Sequence, residues 1–442
     1  MGANWAGEGR RVAVVGSGIA GLSAAWLLNK RYRVTLFERD QRLGGHSNTV
    51  DVATPDGPVP VDTGFIVFNN RTYPNLTALF RHLGITSHRS DMSFGASLDG
   101  GALEYSSVSL GGFIGEPRNL VRQRYWSMLR DIVRFYRAGP KLLDRTDLQS
   151  VTLGDYLDAN DYSPAFINDH LLPMGAAIWS TTARQMRAYP LVAFVRFFAS
   201  HGLLDLNLVR RPKWRTVVGG SRTYVRRLAD GLDIHLNAAI ETILRGPDGV
   251  EIVHRDGRHE MFTDVLIATH ADEALRLLGD ADRLERSILG AFRYTDNTAV
   301  LHTDPALMPR KRATWASWNY IGDSVARDDT RLCVTYWMNR LQQLPTATQI
   351  FLTLNPTRPI AAEQIHRVID YTHPHFDHAA LAAQQRLPSI QGRRNIWFAG
   401  SYFGHGFHED ALKAGLAAAE GIGGVARPWG SAVPAQAVEQ VA

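Results

Sequence analysis

At 442 residues, with 45% hydrophobic and 21% charged side chains, the chain is long for a single core and reads as two globular domains. A net charge of +5 is too mild to mark a nucleic-acid binder, and the lone Cys333 excludes an intramolecular disulfide and a cysteine-based zinc site. No run of about 18 uncharged apolar residues occurs, so no membrane span is expected, and one cysteine fits a reducing, cytoplasmic setting.

Residues 1–9 read as a flexible end. Val12 to Val15 then form a short apolar run of the kind that becomes a buried parallel strand. Gly16, Gly18 and Gly21 follow at the G-x-G-x-x-G spacing, and Ala20 to Leu28 read as a helix. The first glycine permits the tight turn, the second lets backbone approach a pyrophosphate, and the third lets helix and strand pack closely. The helix N-terminus offers free N–H groups to phosphates. A second apolar strand, Arg33 to Phe37, ends in Glu38, a carboxylate placed to accept from ribose hydroxyls. Gly44–Gly45 come soon after, followed by His46. A nicotinamide dinucleotide has no use for this second pair, whereas the flavin half of FAD must be threaded past such a turn. Tyr73 to Gly84 read as a helix closed by a C-cap glycine.

Residues 106–214 change character. Val121 to Tyr136 read as an amphipathic helix, with Tyr125, Trp126, Leu129, Ile132, Val133 and Tyr136 at helical spacing and Arg124, Arg130, Arg134 and Arg137 on or beside the other face. One reading seats residues 121–137 on an anionic lipid surface; the other is an ordinary domain helix with solvated arginines. Pro173 to Ser180, Leu191 to Phe198 and Leu203 to Val209 are apolar stretches that line a substrate tunnel or form core. Gly219–Gly220 repeat a nucleotide-type pattern before a helix at Tyr224 to Ala229, and Ile234 to Ile243 read as a strand segment whose apolar side chains, Ile240 among them, lie on an adenine. Strands follow at Gly249 to His254 and Asp264 to His270. A second insertion, about 276–389, carries strands at Asn297 to His302, Leu332 to Trp337 and Ile350 to Leu354. Within it, His373, His375, Asp377 and His378 lie in what reads as a proline-broken loop, which gives no fixed ligand spacing, so no metal is assigned. Asn395 to Gly415 close the pattern as strand, glycine-rich turn and Ala-rich helix, and residues 427–442 read as a flexible tail. His405, His408, Glu409 and Asp410 sit in that turn as proton relays or as helix caps.

Taken together, Gly16, Gly18 and Gly21 with Glu38, Gly44–Gly45, Gly219–Gly220 and the segment from Ala399–Gly400 to Gly415 resemble the flavin amine oxidase and phytoene desaturase superfamily, in order and over nearly the whole chain. The segments at Asp62 to Asn69, Ala177 to Ser180, Tyr336 to Gln342 and Gly406 to Asp410 look more narrowly like a bacterial family of NAD/FAD-binding oxidoreductases encoded beside cyclopropane-fatty-acid-synthase-like methyltransferases. The resemblance implies an α/β fold: a discontinuous Rossmann-like, GR2-type FAD-binding domain (10–105, 215–275 and 390–426) with an inserted α+β substrate domain (106–214 and 276–389).

It also implies FAD contacts at Gly16, Ser17, Gly18, Ile19, Ala20, Gly21, Glu38, Arg39, Gly44, Gly45, His46, Ile240, Gly400, Ser401, Phe407, His408, Glu409 and Ala411, with His405, His408 and Glu409 as candidate catalytic groups. Two departures stand out. Ser401 occupies a position where the superfamily often carries an acid, and Thr298 falls where amine oxidases place a lysine near the flavin. The expected activity is therefore hydride removal from an unsaturated or methylated acyl chain of a membrane lipid. The alternatives are an amine oxidase, a redox-neutral acyl isomerase, and a flavin-bound partner of a lipid methyltransferase. The expected location is cytoplasmic, peripheral on the inner face of the membrane.

Overall fold

A computed structural model describes residues 9–207, 211–323 and 333–430. One half is a five-stranded parallel sheet ordered Asp233–His235, Arg33–Phe37, Arg11–Val15, Asp264–Ile267 and Ile396–Phe398. The central strand is apolar on both faces because both are covered: Val12, Ala13 and Val14 are fully buried. Helices Ile19–Leu28 and His408–Gly421 pack on one face and on each other. Their contact is backbone-close, since a Cβ on Gly415 would lie 2.1 Å from the Ala20 carbonyl oxygen.

The second half is a seven-stranded mixed sheet, ordered Ile365–His375, Arg293–His302, Phe351–Leu354, Cys333–Trp337, Trp318–Gly322, Phe94–Leu98 and Leu103–Ser106. A layer of helices, among them Gln123–Leu142, Leu172–Trp179 and Leu191–Ser200, covers it. The hairpin at residues 94–106, expected within the nucleotide-binding segment 10–105, thus pairs into this seven-stranded sheet.

Other local expectations shift for identifiable reasons. Residues 234–243 are not one strand: Asn237 adopts φ +54° and turns the chain, so Asp233–His235 joins the parallel sheet and Ile240–Gly246 begins a separate antiparallel one. The His373–His375 stretch is the end of a long strand rather than a loop, because Pro374 sits at the edge strand, where the lost N–H donor is tolerated. The flexible tail does not begin at 427. The Arg427 guanidinium donates to both carboxylate oxygens of Glu420, and Trp429 stacks on Trp26 at 6.4 Å. Residues 1–8, 208–210, 331–332 and 431–442, on which parts of the expected ends, an apolar run and a strand fall, lie outside the described residues.

Candidate active site

One cavity of about 1030 Å³ runs between the two halves. It exceeds the roughly 300–1,000 Å³ of an ordinary small-molecule site, which leaves room for a dinucleotide and a substrate together. Its position follows from the sheet. Gly16, Glu38, His270 and Gly400 each follow the carboxyl end of a parallel strand and all four line the cavity, the place where open α/β sheets bind ligands.

The glycines divide by job. Gly16, at φ +100°, and Gly21 are packed: a Cβ would lie 2.8 Å from the Ala268 oxygen in the first case and 1.8 Å from the Gly16 oxygen in the second. A Cβ on Gly18 would meet no atom within 4 Å, so the space over its backbone belongs to the cavity. Gly45, at φ +55°, brings the second turn over the first, where its Cβ would be 3.3 Å from Gly18 Cα. The Gly44 N–H donates to the Ser17 carbonyl at 3.0 Å, locking the two turns together. One Glu38 carboxylate oxygen accepts from Ser17 N–H and Oγ at 2.9 and 2.5 Å, and the other from Asp40 N–H at 2.9 Å. Further lone pairs on those oxygens remain for ribose hydroxyls. This cradle fits an extended dinucleotide: two backbone turns for a pyrophosphate, a carboxylate for ribose, and Ile240 in the wall beyond it.

Of the other expected contacts, Ser17, Ile19, Ala20, Arg39, His46, Ser401, Phe407, His408 and Ala411 also line the cavity. Gly21 lies behind the wall as packing, and Gly219–Gly220 lie away from it, Gly220 instead abutting Thr49 and Asp62. Asp62 is buried there, accepting from Thr49 Oγ1 (2.6 Å), Ser221 N–H (2.8 Å), Ser221 Oγ (2.8 Å) and Gln342 Nε2 (2.9 Å), and burial pushes its carboxyl up to about 6.

Glu409 is a correction, for it does not line the cavity. Its carboxylate accepts from Asn75 N–H and Nδ2 at 2.8 Å and from Leu76 N–H at 2.9 Å, which caps the N-terminus of helix Pro74–Leu83. Burial raises its carboxyl to about 7. Asp410 is likewise structural. It accepts from His405 and Phe407 N–H, both at 3.0 Å, and burial pushes its carboxyl up.

His408 lies flat on Phe65 (centroids 3.8 Å apart, 10° between planes), with Nε2 at 2.9 Å from the Tyr224 hydroxyl, and burial lowers its imidazole to about 3. It is a neutral wall of the cavity. His405 lines the cavity from the same turn, near Phe197.

Sequence reasoning missed a histidine cluster. His46 stacks on Tyr371 at 4.9 Å and lies 5.5 and 6.1 Å from His373 and His270. Burial, then the neighbouring histidines, hold His46 neutral, and burial takes His373 down to about 4. Among the described residues no group of three or more His, Cys, Asp or Glu is arranged to hold a metal. His270 was findable: it follows the carboxyl end of the Asp264–Ile267 strand to reach the ligand site.

The far end of the cavity is walled by side chains: Met92 just before the hairpin and Phe94 within it, Trp179 and Phe197 from the helical layer, Trp318 and Tyr336 from the sheet. Trp318 meets Tyr336 edge-on at 4.8 Å, and Trp179 packs on Phe197 at 4.7 Å. Most of the charged lining, such as the Arg39–Glu273 pair at 2.5 Å, gathers at the nucleotide end, and Asp370 joins the cavity from the Ile365–His375 strand. No lysine lines the cavity among the described residues, and Thr298, which does not line it, donates from Oγ1 to the lining residue Asp370 at 3.0 Å.

Fold and site together define a dinucleotide-binding α/β protein with room for a second ligand. Residues 19–302 match the family model described as flavin containing amine oxidoreductase, and the chain belongs to that family. It is 26% identical over 279 residues to human lysine-specific histone demethylase 2 (58% of this chain, 30% of that one) and 45% identical over 83 residues to carotenoid phi-ring synthase of Streptomyces griseus (18% and 16%). The chain thus spans well under half the length of these two relatives. Among solved structures it resembles cyclohexylamine oxidase from Brevibacterium oxydans IH-35A (TM-score 0.67, 15% identity, 94% of this chain and 99% of that one). It also resembles a CLA-producing fatty acid isomerase from P. acnes (TM-score 0.63, 15% identity, 94% and 99%). The cofactor is FAD.

Proposed function

We propose that the enzyme removes a hydride from an unsaturated or methylated fatty acyl chain, leaving an added double bond. One observation carries this reading: the far wall of the cavity, Met92, Phe94, Trp179, Phe197, Trp318 and Tyr336, is aromatic and aliphatic, while the lining carboxylates other than Asp370 lie around the nucleotide cradle. An acyl chain recovers hydrophobic free energy along such a wall, at about 25 cal/mol per Å² buried. A cationic amine would be desolvated along that wall, none of whose six side chains carries a charge.

Bound FAD supplies a hydride acceptor. The protein holds the chain against it and excludes water through Trp179, Phe197, Trp318 and Tyr336. Of the two histidines on the closing turn, His408 is engaged with Tyr224 and made a weak base by burial, so His405 is the one assigned to take the proton lost from the adjacent carbon. A redox-neutral acyl isomerisation is the second reading, favoured by the fold shared with the fatty acid isomerase.

The test is anaerobic mixing of the flavin-loaded protein with acyl lipids and with a panel of amines. Loss of the oxidised flavin absorbance with lipids alone supports hydride removal, and loss with amines alone ends the acyl reading. A shifted double bond, formed anaerobically without net flavin reduction or any added acceptor, selects the isomerase.

A further inference from the structure

We infer that the outer face of helix Gln123–Leu142, with the turn before it, docks on an anionic phospholipid bilayer. This goes beyond the acyl reading and stands on separate observations, since docking requires no turnover. Trp126, Arg130, Val133, Arg137 and Lys141 recur at four-, three-, four- and four-residue steps, which places them on one stripe of the helix. Together they line a surface groove. The opposite stripe, including Tyr125, Met128, Ile132 and Phe135, is buried in the domain.

The outward stripe keeps large apolar groups in solvent. Trp126 is 53% exposed, and Leu120 and Val121 in the preceding turn are 43% and 85% exposed. Three neighbouring groups of this kind form a patch rather than scattered surface residues. The Trp126 indole N–H donates to the Leu120 carbonyl at 2.7 Å, which holds the two parts of the patch together.

The charge around the patch selects the partner. Arg130 and Arg134 share a single buried carboxylate, Asp131, and Arg137 and Lys141 pair with no carboxylate among the described residues. Aromatic and aliphatic groups at the boundary, ringed by excess cations, match an anionic lipid surface. Behind the helix, a Cβ on Gly139 would lie 2.7 Å from the Leu204 side chain, and the adjacent Leu203 lines the substrate cavity. Docking therefore sets the substrate end of the cavity close to the membrane.

The test is co-sedimentation of the flavin-loaded protein with phosphatidylcholine vesicles that do or do not contain about 30 mol% phosphatidylglycerol. Binding to the anionic vesicles alone, released by about 0.5 M NaCl, is expected. The triple variant Arg130→Gln, Arg137→Gln and Lys141→Gln should lose roughly tenfold or more in partitioning, and Val121→Ser with Trp126→Ser a comparable amount, with flavin content and Tm unchanged. Equal binding to neutral vesicles, or undiminished binding by the triple variant, overturns the inference. So does absence of binding at every salt concentration, which leaves the face to a protein partner. Flavin bleaching by detergent-dispersed acyl lipid is scored separately. Bleaching without vesicle binding sinks the docking surface alone, and vesicle binding without bleaching sinks the acyl reading alone.

Discussion

At the nucleotide end of the cavity the wall is backbone: Gly16, Gly18 and Gly45 set two turns against each other, and Glu38 closes the strand beside them. At the substrate end the wall is side chain, contributed by a hairpin, a helix layer and a sheet that are far apart in sequence. A backbone-built site constrains residue type position by position, since only glycine fits. A side-chain-built site constrains only volume and polarity, which many sequences satisfy. The first end therefore specifies one cofactor, while the second can be retuned without touching it.

The largest effect that tests this contrast is at Gly21. Gly21→Val puts a side chain where even a Cβ is 1.8 Å from the Gly16 oxygen, and no folded, soluble protein is expected by circular dichroism. Gly18→Val, three residues earlier, should fold with its Tm as apoprotein nearly unchanged yet retain less than about a tenth of the flavin, because its side chain would enter only ligand space. If Gly18→Val binds flavin normally, the division between packing and cradle glycines is wrong.

Acid should act next. His170, His201, His373 and His408 are pushed by burial to about 3 or 4, and His46 well below its usual value. Each binds a proton in the unfolded chain near pH 6.5 but not in the fold. Its stabilisation is therefore present above that pH and lost as pH falls toward 4, at about 2 kcal/mol per histidine by pH 5. Glu409 and Asp62, raised to about 7 and about 6, work in the opposite sense and gain stability as pH falls through those values. The histidines outnumber them, so Tm should drop between pH 7 and 5; a rising Tm would contradict the burial pattern.

A smaller effect lies at the substrate end. Ile178→Trp fills the apolar wall and should slow anaerobic bleaching by acyl lipid roughly tenfold while leaving the flavin spectrum intact. The smallest is Glu409→Gln, which removes one acceptor from the helix cap. It should cost about 1 kcal/mol at neutral pH, steepen the acid loss, and change the bleaching rate less than about threefold. A large rate loss at unchanged stability would restore a catalytic role to Glu409.

The same contrast explains what was legible. Gly16, Gly18, Gly21, Glu38 and Gly44–Gly45 are written locally, and the structure gathers them at one cavity end or directly behind it. Glu409 was misread because its partners, Asn75 and Leu76, lie far back in the chain, and local pattern cannot tell a relay from a cap on a distant helix. His46, His270 and His373 come from three separate segments, so their meeting is a product of topology alone. The turn at Asn237 depended on one left-handed residue inside an apolar run that reads as continuous strand.

The contact between Gly415 and Ala20 carries a consequence for synthesis. The nucleotide-binding sheet takes strands from residues 11–15 and 396–398, and its first helix is covered by the last one described. A nascent chain leaving the ribosome can form the helical insertion early, but the first helix keeps a bare apolar flank until Gly415 has been translated. The protein should therefore depend on chaperone shelter late in synthesis, and FAD should act as a capturing ligand for the newly closed domain rather than as a template for its early segments.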